Sequence, residues 1–100
     1  MAKKRTKTLP YDSAEYLDTT EAIHAYMEGA LETADPAFIA KALGTIARAR
    51  GMSQIAKKAG LSRESLYKAL SAEGNPEFGT IIRVMHALGL KFSITATHAQ

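Results

Sequence analysis

The residues best suited to chemistry stand in one run, Ser62-Arg63-Glu64-Ser65-Leu66-Tyr67-Lys68. If Leu66 points inward and each helical residue turns by about 100°, Glu64, Lys68 and Ser71 point most nearly outward, with Tyr67 and Ser65 on the flanks. Arg63 falls in the first turn, where a guanidinium can reach a base edge or a phosphate. Arginine suits bidentate contact with guanine, and Lys68 suits guanine or phosphate. Glu64 can accept from cytosine or orient Arg63. Ser53 and Gln54 open the preceding segment, and free N–H groups at a helix start suit a phosphate. With Lys57 and Lys58 nearby, the set has the makings of a surface that reads double-stranded DNA. An ordinary solvated helix face is the alternative.

Catalysis finds less support. His24, His86 and His98 fall on different elements, no His-x-x-x-His pair occurs, and there is no glycine-rich phosphate loop. No spacing of Ser, His and Asp suggests a triad. With no cysteine, thiolate metal sites, disulfides and cysteine nucleophiles are excluded. The expectation is a protein that is not an enzyme and needs no metal or cofactor.

The elements that would position the run follow from apolar spacing. Ile23, Tyr26, Met27, Ala30, Leu31 and Ala34 predict a helix over 19–34, started by an Asp18–Glu21 capping box or by Thr19 or Thr20. Asp35-Pro36 predicts a restart, with Phe38, Ile39, Ala42, Leu43, Ile46 and Ala47 inward over 36–50 and Gly51 as the stop. Residues 52–71 read as two short helices around a tight turn. Ser53 caps the first, Gly60 supplies a left-handed residue and Ser62 caps the second. Ile55, Ala56, Ala59, Leu61, Leu66 and Leu70 form the seam between them. After a loop at Gly74-Asn75-Pro76, a last helix over 77–88 turns Phe78, Ile81, Ile82, Met85 and Leu88 inward. Residues 91–97 alternate as a β-strand does, with Phe92, Ile94 and Ala96 on one side.

Charge is segregated along the chain. Residues 1–10 carry Lys3, Lys4, Arg5 and Lys7 and no acid, while 11–35 hold seven carboxylates and no Lys or Arg; 36–100 hold nine bases to three acids. That pattern predicts two surfaces with two kinds of partner, one of them a polyanion. In the acidic stretch, Tyr11, Tyr16, Leu17 and Tyr26 are candidate anchors for a protein partner, or simply pack the first helix onto the body. The basic arm at 1–10 is expected to be flexible, and 11–100 to form a single domain comprising an acidic extension (11–35), a helical core (36–90) and a strand (91–97). No segment has the length and apolarity of a membrane span or signal peptide, so a cytoplasmic protein is expected.

Residues 36–90 resemble the lambda-repressor-like helix-turn-helix domain, through Ala56, Gly60, Leu61 and Leu66. Almost the whole chain resembles the addiction-module antidote (antitoxin) family. The match lies in Tyr16-Leu-Asp-Thr-Thr-Glu, Ile46-Ala-Arg-Ala-Arg-Gly-Met-Ser-Gln, Gly60-Leu-Ser-Arg-Glu-Ser-Leu-Tyr-Lys-Ala-Leu-Ser71, and Gly74-Asn-Pro-Glu-Phe through Ala87-Leu-Gly-Leu-Lys91. The resemblance implies a mainly all-α fold, a lambda-repressor-like helix-turn-helix bundle with an N-terminal extra helix and a short C-terminal β-strand. It implies a type II antitoxin that represses its own operon and neutralises a small basic toxin. It puts Arg63, Glu64, Tyr67 and Lys68 at reading positions and Ser53 and Gln54 at phosphate-side positions. A homodimer is expected, because one short recognition helix reads too few base pairs. A stand-alone repressor without a toxin partner, and an adaptor that uses the motif for protein contact, remain open.

Overall fold

Three helix starts are set by local side-chain chemistry. Thr19 stands in extended backbone and its hydroxyl accepts the Ala22 N–H at 3.0 Å. Asp35 does the same for Ala37 at 3.1 Å, just ahead of Pro36, and Ser62 for Ser65 at 2.9 Å. Each satisfies a first-turn donor that would otherwise lack a partner, which is worth about 1 kcal/mol. The computed structural model describes residues 17–71 and 73–97. These form five α-helices: α1 (Thr20–Glu32), α2 (Pro36–Arg50), α3 (Met52–Ala59), α4 (Arg63–Ala69) and α5 (Phe78–Ala87). The basic arm expected at 1–10, together with Tyr11 and Tyr16, lies outside the described residues.

α1 ends earlier than its apolar period implies. The Thr33 hydroxyl donates to the Ala30 carbonyl at 2.6 Å and accepts the Asp35 N–H at 3.1 Å, and Ala34 turns left-handed at φ 54°. An alanine there costs about 1–2 kcal/mol. The tight turn brings α2 against α1, α3 packs on α2, and α4 and α5 both pack on α3. Ile23, Leu43, Ile46, Leu66 and Val84 are fully buried at the centre, surrounded by Met27, Ala47, Ile55, Ala56, Ala59, Leu70 and Met85. Burying one such aliphatic side chain stabilises by about 1.5–3 kcal/mol. No polar or charged residue is buried among the described ones.

Three expectations are corrected. Residues 91–97 are not a strand, because no neighbouring strand completes a ladder for them and a lone strand has no stability of its own. Phe78, expected to face inward, is 72% exposed; Val84 takes the central place on α5, and Phe78 instead meets the Phe92 ring at 5.9 Å. Phe38 is likewise exposed, leaving Ile39 to line the α2 contact. The described residues are therefore all-α and strand-free. No helix among them is long and apolar enough to cross a membrane.

Candidate nucleic-acid interface

The α3–α4 unit owes its shape to the three residues between the helices. Gly60 adopts φ 76°, which lets the Leu61 N–H return to the Ala56 carbonyl at 2.8 Å while the Gly60 N–H bonds Lys57 at 3.1 Å. A side chain at that φ is strained, so glycine is the fitting residue. Ser62 then starts α4. Buried Leu66 and Leu70 face Ile55, Ala56 and Ala59 in the continuous core. With Leu66 inside, Arg63, Glu64, Ser65, Tyr67 and Lys68 are all exposed. The face expected from helical periodicity is therefore brought together on one short helix, except for Ser71, which lies beyond α4, is half-buried and donates its hydroxyl to the Lys68 carbonyl at 3.0 Å.

One long-range hydrogen bond and one close loop approach hold this unit in place. Arg83 Nε on α5 donates to the Ala59 carbonyl at 3.0 Å, placing a cation at the C-terminal end of α3, where the helix dipole favours it. Behind α4, Gly74 presses so closely that an added Cβ would fall against the Lys68 carbonyl and 2.6 Å from the Ala69 carbonyl. Sequence reasoning missed the Arg83 contact. It joins residues 24 apart, and no local pattern marks it.

Ser53 does not cap α3. Gly51 does, at φ 106°, and it has no side chain to offer, so the helix begins two residues earlier than a Ser53 cap implies, at Met52. Ile55 donates to the Gly51 carbonyl at 3.0 Å. Ser53 and Gln54 are therefore exposed first-turn residues, and no side chain caps that end. Lys57 and Lys58 are exposed in the last turn of α3. Ser65 is partly committed, since its hydroxyl accepts from the Ser62 hydroxyl at 2.9 Å. Among the described residues no group of three or more His, Cys, Asp or Glu is placed to hold a metal ion.

Residues 7–96 match the family described as "probable addiction module antidote protein". The chain belongs to that family. An uncharacterized protein of Haemophilus influenzae strain Rd is 52% identical over 84 residues, covering 84% of this chain and 87% of that protein. No solved structure matches the chain. Membership in the antidote family implies, in general, a toxin as partner.

For an antidote, the acidic α1 is the element to inspect for that partner. Glu21, Glu28 and Glu32 are exposed on it, and no base stands in its last turn. His24 Nε2 lies 3.8 Å from Glu28, both solvated. The expected apolar anchors fare differently. Leu17 is 2% exposed and belongs to the core, so it offers no surface to a partner, and Tyr26 is half-buried against the same core. The antidote also exposes apolar surface that periodicity did not foresee. Leu31, Pro36, Ile39, Phe78, Ile81 and Phe92 line a groove of about 520 Å³, and Ile94 is also exposed.

Proposed function

We infer that the chain is the antitoxin of a type II module that reads operator DNA with α3 and α4, as a lambda-repressor-like helix-turn-helix, and neutralises a small basic toxin by direct contact. The observation that carries the DNA part is the shared exposure of Arg63, Glu64, Ser65, Tyr67 and Lys68 on α4, next to the uncapped start of α3 at Ser53 and Gln54. In this reading α4 enters the major groove, and the α3 start and Lys57 meet phosphates. Two copies act on a pseudo-palindromic site in the cytoplasm, since a seven-residue helix spans too few base pairs alone. No catalytic step or cofactor is part of this function.

Gel-shift titration on the chain's own upstream DNA tests it. Affinity is expected to fall steeply with salt, by about 0.9 in log–log slope per phosphate neutralised. Arg63→Ala should cost about 1–3 kcal/mol at the preferred duplex, while Lys57→Ala weakens all duplexes alike and flattens the slope. Light scattering of the complex should give two chains per duplex. Equal, weak binding to every duplex, unmoved by either substitution, overturns the DNA reading.

The toxin part rests on the family and on the charge of α1, because an acidic face speeds encounter with a basic, RNA-acting protein. The burial of Leu17 is a specific observation favouring a second reading, the stand-alone repressor, since it removes an anchor that a toxin interface needs. Co-expression with the product of the adjacent gene separates the two. Copurification and growth rescue, lost on charge reversal of Glu21, Glu28 and Glu32, are expected for the antitoxin. Absence of any copurifying, neutralised product leaves the repressor.

A further inference from the structure

Arg63 and Tyr67 stand one helical turn apart on α4, and the Arg63 guanidinium carbon lies 5.4 Å from the centre of the Tyr67 ring. The core does not need either residue: Arg63 is exposed and Tyr67 is 43% exposed. Glu64 is adjacent in sequence, yet among the described residues Arg63 makes no ion pair, so its in-plane N–H donors are uncommitted. An arginine over an aromatic face is held weakly in water and more strongly once water is excluded. Such a stack restrains a long, rotamer-rich side chain. It sets the guanidinium over the ring and leaves its N–H donors without a partner among the described residues.

Resting on the DNA reading of α4 given above, we propose that Tyr67 is a positioning residue that holds the Arg63 guanidinium in the plane for pairing with one guanine, and that its own ring selects a thymine in the neighbouring base pair. An arginine bonded to guanine O6 and N7 lies roughly in the plane of that base. A ring stacked on its face is then displaced along the duplex, toward the edge of the next base pair. A thymine C5-methyl is the apolar group that the major groove offers there, and the ring face of Tyr67 suits it. The pair thus reads a two-base step rather than two independent bases. Coupling is expected only when ring and guanidinium are present together.

The test uses the full-length chain and a selection from randomised duplexes, followed by titration of the preferred duplex. Its probes are that duplex, the same duplex with 7-deazaguanine for the best-specified guanine, and the same duplex with uracil for the adjacent thymine. Wild type should lose about tenfold on 7-deazaguanine and a few-fold on uracil. Tyr67→Phe keeps both effects, because the stack needs the ring and not the hydroxyl. Tyr67→Ala loses the uracil effect and most of the 7-deazaguanine effect, with thermal unfolding and salt slope unchanged; Arg63→Ala loses the guanine effect. Retention of full guanine discrimination by Tyr67→Ala, or strictly additive effects of Arg63→Ala and Tyr67→Ala, overturns the proposal while the DNA reading stands. If wild type enriches no duplex at all, the DNA reading fails and takes this inference with it.

Discussion

Leu66→Ala is expected to lower the stability of the chain by about 2–5 kcal/mol, the range for truncating a buried leucine whose surroundings cannot close the gap. Leu66 is 0% exposed and is the one buried residue within α4 itself. It meets a wall built from α3, whose Ile55, Ala56 and Ala59 are fixed in turn by α2 and α5. A wall held from several sides collapses little, so the upper half of the range is the expectation. Domains of this size hold only about 5–15 kcal/mol in total. Urea unfolding should therefore show a much lower midpoint with an unchanged slope. A loss under about 1 kcal/mol would mean that α4 does not lean on α3 as described.

Gly74→Ala is the second large effect, and it has a different character. The new Cβ would meet the carbonyls of Lys68 and Ala69, both backbone atoms in the last turn of α4, and no rotamer change relieves the overlap. Either the loop backs away or the turn opens, at a cost of about 1–3 kcal/mol, the usual range for forcing extra atoms into a packed site. Because Lys68 sits in that turn, the DNA reading proposed above expects duplex binding to weaken by more than the stability loss explains. Gly29→Ala is the control. That glycine lies inside α1 with nothing within 4 Å of its added Cβ, so the change should stabilise by about 0.5–1 kcal/mol. If Gly74→Ala behaves like this control, the close approach of the loop to α4 is refuted.

The contrast between those two glycines shows what a sequence reveals and what it hides. Both stand in plausible places for a glycine, but only contact with α4, made across a loop, tells them apart. Local devices were readable: Ser62 as cap, Gly60 as left-handed turn, Asp35-Pro36 as restart, and the outward set on α4 from the position of Leu66. Each involves atoms within a few residues of one another. Ser53 was misread because a serine one position into a helix looks like a cap unless the φ of Gly51 is known. The alternation of Phe92, Ile94 and Ala96 was real, yet alternation describes the side chains and says nothing about whether another strand lies alongside. Phe78 shows the same gap. Apolar spacing picks a face of α5, and packing decides how much of that face is covered. Leu17 was left with two roles, partner anchor or packing of the first helix onto the body, and its burial gives it the second. The Arg63–Tyr67 stack was available in the i,i+4 spacing, although its use depends on both side chains being free.

The brevity of α4 reaches further than its contacts. A seven-residue helix lies well below the length at which an isolated helix persists in water, so its shape is borrowed from the core through Leu66 and Leu70. A partly unfolded form in which α4 survives by itself is not expected. Whatever opens the core, whether heat, a protease or an unfolding machine, dissolves the outward face in the same event. On the DNA reading proposed above, such a chain would have no intermediate setting: its occupancy of a site would track the number of intact molecules.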